Sequence, residues 1–175
     1  MLLSNEHIKL RALEPEDLEL LYKWENLSHL WTQGNTLAPY SKNTLRRYIN
    51  ETQQTDIYES KQLRMMIVLE ESDTTIGVID LYEFDIRNSR AGVGILVDEN
   101  YRNKGYALQA LNLVKEYAFN FLRLHQLFAL IAVDNKPSLK LFENAGYKIT
   151  GTMKDWVAQK LEFEDVHFVQ LIKEI

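Results

Sequence analysis

The stretch from residue 90 to residue 133 constrains this chain more than any other. Residues 90–97 are a β-rich run, and from Gly105 onward Leu108, Leu111, Val114, Ala118 and Phe121 recur at spacings of three and four. That spacing predicts an amphipathic helix whose apolar stripe extends to Phe121. Residues 127–133 are almost wholly apolar, the pattern of a strand buried on both faces. Strand, long helix and buried strand in succession predict a parallel β-α-β unit with a right-handed crossover.

The flanking segments build outward from that unit. Residues 8–11 predict a short first strand, and residues 15–27 a helix with Pro15 in its first turn and Leu18, Leu21 and Tyr22 on one side. The stretch through Trp31, Gly34 and Pro39 reads as a loop, after which Ser41 is placed to cap a helix carrying Leu45, Tyr48 and Ile49. These two helices form a hairpin. Residues 63–69 and 75–84 flank a polar turn at 70–73 and predict antiparallel strands. Pro137 opens a short helix capped by Asp134 or Asn135 and stopped by Gly146, and strands near 147–154 and 164–172 close the chain. The class is α/β with one mixed sheet. At 175 residues, without a repeat or a Gly/Ser/Pro linker, residues 1–175 are expected to form a single domain.

Composition removes several function classes. There is no cysteine, hence no disulfide, thiolate metal site or cysteine nucleophile, which fits a reducing compartment. The four histidines, His7, His29, His125 and His167, are scattered without metal-ligand spacing, so no metal is expected. A net charge of −5 argues against a duplex nucleic-acid partner and suits a cationic small molecule better. The first residues lack a basic segment followed by a long apolar stretch, and no run approaches the roughly 20 apolar residues of a membrane span, so a cytoplasmic protein without a membrane partner is expected.

The chemistry is concentrated between the residue 90–97 strand and the long helix. A helix N-terminus presents unpaired N–H groups and a partial positive charge, and phosphate oxygens bind there. Gly105 allows close approach of a ligand, and Arg102 and Lys104 add side-chain charge. An ordinary strand-to-helix turn with solvated basic residues carries the same letters. No Gly-Lys-Ser/Thr follows, so the segment is not a P-loop. Gly92-Val93-Gly94 lies inside a strand without the third glycine of a dinucleotide fingerprint.

Arg102-Asn103-Lys104-Gly105-Tyr106-Ala107 resembles the R/Q-x-x-G-x-G/A motif of the GNAT superfamily of acetyl-CoA-dependent N-acetyltransferases. The likeness extends over nearly the whole chain, through the same order of elements and the segment running from Asn135 and Ser138 to Gly146-Tyr147. Residues 9–18 resemble the opening of the branch that holds spermidine acetyltransferases and N-terminal acetyltransferases of ribosomal proteins. The resemblance implies a mostly antiparallel sheet with the parallel β-α-β unit at its centre, a splayed strand pair and helices on both faces. It implies acetyl-CoA as cosubstrate, its pyrophosphate on the backbone of Arg102, Asn103, Lys104, Gly105, Tyr106, Ala107 and Leu108, and its pantetheine arm along Ile95, Leu96 and Val97. The Leu96 N–H would hold the thioester oxygen as it becomes negative. Asn135 would bind a pantetheine amide, or cap the helix, or both.

Direct transfer to an amine needs no nucleophilic side chain, only a route for two protons. Asp80 and Glu83 are candidates for holding the amine or accepting its proton. Strand alternation sets them on opposite faces, so at most one serves a given site. Spermidine acetyltransferases and many relatives carry a tyrosine as thiolate acid where this chain has Phe142. Ser138 lies one helical turn earlier and matches a serine that other members use. It reads equally as a first-turn residue bonding the backbone. The function implied is transfer of acetyl from acetyl-CoA to a primary amine, on a polyamine, a peptide N-terminus or another small amine. The alternative is a noncatalytic acyl-CoA-binding regulatory module, for which the missing tyrosine is the only argument. An unpaired final strand offers an edge for a homo-oligomer.

Overall fold

Seven strands form one sheet in the order β1-β2-β3-β4-β5-β7-β6. The computed structural model describes residues 2–33, 36–159 and 162–174; the expected loop residue Gly34 lies outside them. The strands are β1 (Ile8–Ala12), β2 (Leu63–Leu69), β3 (Thr75–Asp85), β4 (Arg90–Val97), β5 (Gln126–Ala132), β6 (Lys148–Gln159) and β7 (Glu162–Ile172). Every pairing is antiparallel except β4 with β5. The helices are α1 (Leu18–Glu25), α2 (Lys42–Thr52), α3 (Ile57–Ser60), α4 (Tyr106–Glu116) and α5 (Lys136–Asn144). Ser41 caps α2 as expected, its side chain accepting from the Thr44 N–H.

Alternation along the strands divides the core between the two faces of the sheet. Met65, Ile67, Ile79 and Leu81 pack with Leu111 and Val114 of α4 and Phe142 of α5. Met66, Val68 and Val78 point the opposite way and pack with Leu21 and Trp24 of α1 and Leu45 and Ile49 of α2. Helices therefore cover both faces. None of the described helices is long and apolar enough to cross a membrane.

Four expectations need correction. The first helix is shorter than residues 15–27: Pro15–Asp17 is a 3-10 turn and α1 ends at Glu25. The expected loop contains a 3-10 helix at Ser28–Gln33. The apolar stripe of α4 does not reach Phe121, which is 63% exposed, while Phe119 is buried. A π turn at Tyr117–Phe121 is the cause: its Leu122 N–H donates to the Tyr117 carbonyl, and the extra residue rotates the end of the helix by about 100°. Finally, β5 is buried on both faces only in its first part, where Phe128 is buried along with its neighbours Leu127 and Ala129. Leu127, Ala129 and Ile131 are buried, but Leu130 is 41% exposed because the α1-α2 hairpin does not extend over that end of the sheet.

Candidate active site

The site begins where β4 ends. Asp98, 7% exposed, caps a 3-10 turn at Glu99–Tyr101 and accepts hydrogen bonds from Asn100 N–H at 3.2 Å and Asn100 Nδ2 at 3.0 Å. It also accepts from Lys23 Nζ at 2.6 Å and Trp24 Nε1 at 2.9 Å, so α1 is tied to the loop. Burial by itself would raise the Asp98 carboxyl, but the donors from Lys23, Trp24 and Asn100 outweigh it and hold the group well below the usual carboxylate range. An open depression lies beside this anchor, between His29, Leu96 and Arg102.

Past the anchor, Asn103 and Gly105 both adopt left-handed backbone, with φ of 59° and 81°. Gly105 is the N-cap of α4 and no side chain caps the helix. The first-turn N–H groups of Tyr106, Ala107 and Leu108 thus have no partner within the helix. A Cβ built on Gly105 would meet nothing within 4 Å, so the space in front of these groups is open. Arg102 and Lys104 are exposed beside it, and Lys104 Nζ lies 5.3 Å from the centre of the Tyr101 ring. Unpaired N–H groups, open space and two basic side chains thus meet at one helix end.

The second part of the site is the gap between β4 and β5. They pair only at Arg90↔Gln126, Ala91↔Leu127 and Gly92↔Phe128 and then part. Meanwhile β4 stays in register with β3 as far as Gly77↔Val97. The Asp98 N–H donates to the Ile76 carbonyl at 2.8 Å. An antiparallel ladder alternates, so Leu96 and Gly94 also turn their N–H and C=O groups toward β3. Val93, Ile95 and Val97 turn theirs into the gap. On β5 the Val133 N–H donates to the Asp165 carbonyl on β7, and the same alternation aims the Leu130 N–H into the gap from the other side. The expected role of Leu96 is therefore corrected: it pairs with Val78, and its N–H is spent inside the sheet. Ile95 and Val97 present the edge groups instead. Arg102 Nε donates to the Val97 carbonyl at 2.9 Å, which sets its guanidinium at the mouth of the gap.

The helix α5 follows directly on β5 and places the remaining candidates at the same end. Asn135 is its N-cap, accepting from the Ser138 N–H at 3.2 Å. Ser138 is half-buried. Phe142 is buried with its ring centre 4.9 Å from that of Tyr147, edge to face. The Tyr147 hydroxyl is buried without a hydrogen-bond partner among the described residues, and burial pushes it well above the ordinary phenol range.

Asp80 and Glu83 do not come together. Asp80 on β3 accepts two hydrogen bonds from Arg64 on β2, at 2.7 and 2.9 Å, and Arg64 also donates to Glu25 of α1. Both Asp80 oxygens are engaged, on the face covered by α1 and α2. Glu83 is exposed, with φ of 49°, where the β3 register slips between Tyr82 and Asp85. Sequence reasoning missed Arg64, Glu25 and Tyr82. The one signal for Arg64 is a charge within an otherwise apolar strand, and its partner Asp80 is identified only by the strand register.

Comparison with known proteins bears on this arrangement. The family described as acetyltransferase (GNAT) domain matches residues 7–148. The spermidine N(1)-acetyltransferase of Vibrio cholerae is 23% identical, over 97% of this chain and 95% of that one. An N-acetyltransferase of Bacillus licheniformis, p20, is 25% identical over 98% and 96%. The crystal structure of the Vibrio cholerae spermidine N-acetyltransferase in complex with CoA and spermine superposes with a TM-score of 0.84, covering 96% of each chain at 24% identity.

Proposed function

Since this chain belongs to the GNAT family of acetyltransferases and transfers acetyl from acetyl-CoA to an amine, we propose that the amine belongs to a polyamine or a similar cationic small molecule. The observation that carries this reading is the Glu25-Arg64-Asp80 cluster, two carboxylates around one guanidinium. It leaves one net negative charge on the sheet face where Gly92 and Gly94 of β4 expose no side chains. The chain's net charge of −5 and the spermidine acetylation named for its relatives support the same acceptor. The noncatalytic alternative has only Phe142 in its favour. An acceptor screen that follows thiol release tests the proposal, with spermidine and spermine set against amino acids, aminoglycosides and peptides bearing ribosomal N-termini. Polyamines should turn over fastest. Release with peptides alone would overturn the polyamine assignment.

Acetyl-CoA supplies the activated acetyl group and a leaving thiolate; the rest is done by the chain. Tyr106, Ala107 and Leu108 N–H groups, with Arg102, Asn103, Lys104 and Gly105 around them, hold the pyrophosphate. Ile95 and Val97 bind the pantetheine arm as a missing strand would be bound, and an edge N–H from this pair, not from Leu96, polarises the thioester oxygen. Asn135 orients the arm while capping α5. Asp80, locked by Arg64, positions the amine, whose ammonium proton leaves to water; Glu83, at the β3 register slip and apart from Asp80, does not share that site. The unit at work is the single domain of residues 1–175, in a cytoplasm whose reducing character the cysteine-free sequence suits. The final strand β7 is not unpaired as expected but lies between β5 and β6; the free edge on that side is β6, which carries Ile149 and Trp156, each more than half exposed, and offers a surface for association of copies.

Ser138 donates the proton that the thiolate needs. Ser138→Ala should lower turnover by roughly tenfold or more without weakening acetyl-CoA binding, since that proton is required only as the thioester breaks. A loss below about threefold would hand the proton to water. Phe142→Tyr restores the hydroxyl of the tyrosine-bearing relatives and should raise turnover; no change would mean that the buried ring does not face the sulfur.

A further inference from the structure

The glycines of β4 that match no dinucleotide fingerprint have a use in the structure. Gly92 pairs with Tyr82 of β3, and a Cβ at Gly92 would lie 2.3 to 2.8 Å from three atoms of the Tyr82 ring. The ring therefore lies flat across β4 in the space that any other residue would fill, and reaches past Gly92 toward β5. There it meets the Phe128 ring edge to face at 5.8 Å, and Phe128 stacks on Phe168 of β7 at 5.3 Å. Gly92↔Phe128 is the last pair of the β4-β5 ladder. The aromatic group thus stands at the point where the two strands part.

The Tyr82 hydroxyl lies toward β5 as well. Had the ladder continued, the Leu130 N–H would have paired with the Val93 carbonyl. The strands diverge, and the Leu130 N–H faces the Tyr82 oxygen instead. Tyr82 is partly exposed.

We propose that the Tyr82 ring, backed by Phe128, is the end wall of the acyl-group site and limits the acyl chain that the enzyme accepts to acetyl. The inference rests on the proposed function, in which the pantetheine arm runs along the free edge of β4 from Val97 toward Val93. An arm running that way brings its acyl end to the closed end of the gap, against the ring. A pocket that excludes a methylene discriminates by roughly tenfold or more, and acetyl and butyryl differ by two.

Calorimetric titration with CoA, acetyl-CoA and butyryl-CoA tests this without any acceptor. The intact protein should bind butyryl-CoA at least tenfold more weakly than acetyl-CoA, by the same estimate of roughly tenfold per excluded methylene. Tyr82→Ala should narrow that ratio to about threefold or less through a gain for butyryl-CoA, because the cavity left over Gly92 accepts the extra carbons. Tyr82→Phe keeps the ring and should keep the discrimination. Tyr82→Leu, which removes only the outer ring and is the milder change for folding, should fall between. CoA, which lacks the acyl group, should bind all four proteins equally. Equal binding of acetyl-CoA and butyryl-CoA by the intact protein would overturn the proposal. So would unchanged discrimination in Tyr82→Ala and Tyr82→Leu, or relaxation in Tyr82→Phe as large as in Tyr82→Ala. Failure of the intact protein to bind CoA in any form would instead sink the cofactor reading itself.

Discussion

Gly105→Asp is expected to weaken acetyl-CoA binding by about three orders of magnitude, since a charge about 4 Å from a phosphate oxygen costs about 4 kcal/mol at a partly screened site. The fold should survive the substitution. A Cβ at this position meets no neighbour within 4 Å, and aspartate is a favourable N-cap residue. The remaining cost is the left-handed φ of 81°, which aspartate and asparagine tolerate better than other side chains, at about 1 kcal/mol. Gly105→Asn carries that backbone cost and nearly the same volume without the charge, so it should lose no more than about tenfold. Calorimetric affinities for acetyl-CoA, with melting curves for both variants, separate charge from strain. Equal losses in the two variants would show that phosphate does not lie at this helix end.

The second large effect is on stability. Asp98→Ala should cost about 3 kcal/mol, because it leaves the buried Trp24 indole N–H without its acceptor and removes the cap of the Glu99–Tyr101 turn. Lys23, half exposed, returns to water and adds little. The effect is pH-dependent with a definite sign. The folded-state carboxyl titrates well below its unfolded value of about 4, so its contribution is fully present above pH ~4 and is lost as pH falls from there toward the folded value. Urea unfolding at pH 7 and pH 3 should therefore show the gap between the native protein and Asp98→Ala narrowing in acid. A gap of the same size at both pH values would mean that the carboxylate charge is not what stabilises the loop. Acetyl-CoA affinity should fall as well, since Asp98 holds the start of the loop that leads to Gly105.

Local pattern sufficed wherever one segment carries its own signal. The apolar runs of β2, β3 and β4 gave their limits to within a residue, because each is bounded by polar turn residues and lies in a sheet whose two faces are both covered. Ser41 and Asn135 were legible as caps since a cap is defined by residues three positions apart. The onset of α4 at Gly105 was legible for the same reason: glycine, flanking basic residues and helix onset are contiguous. Phe121 and Leu130 were misjudged because exposure depends on a π turn in one case and on the reach of a distant helical hairpin in the other.

By itself, then, the sequence determined the β-α-β unit, the order of the elements and the glycine loop that opens α4, all of which are written in periodicities and spacings within one stretch of chain. Only the tertiary structure decided which atoms of those elements are available for chemistry. The twofold repeat of a strand says that neighbouring N–H groups point to opposite edges; it does not say which edge faces a partner. That phase is set by contacts such as the Asp98 N–H on the Ile76 carbonyl, 22 residues back along the chain, and it moves the donor from Leu96 to Ile95 and Val97. In the same way Arg64 engages Asp80 across β2 and β3, and Tyr82 covers Gly92 across β3 and β4. Each partner is brought by a separate strand, whose register is fixed only when the hydrophobic faces of the whole sheet are buried together.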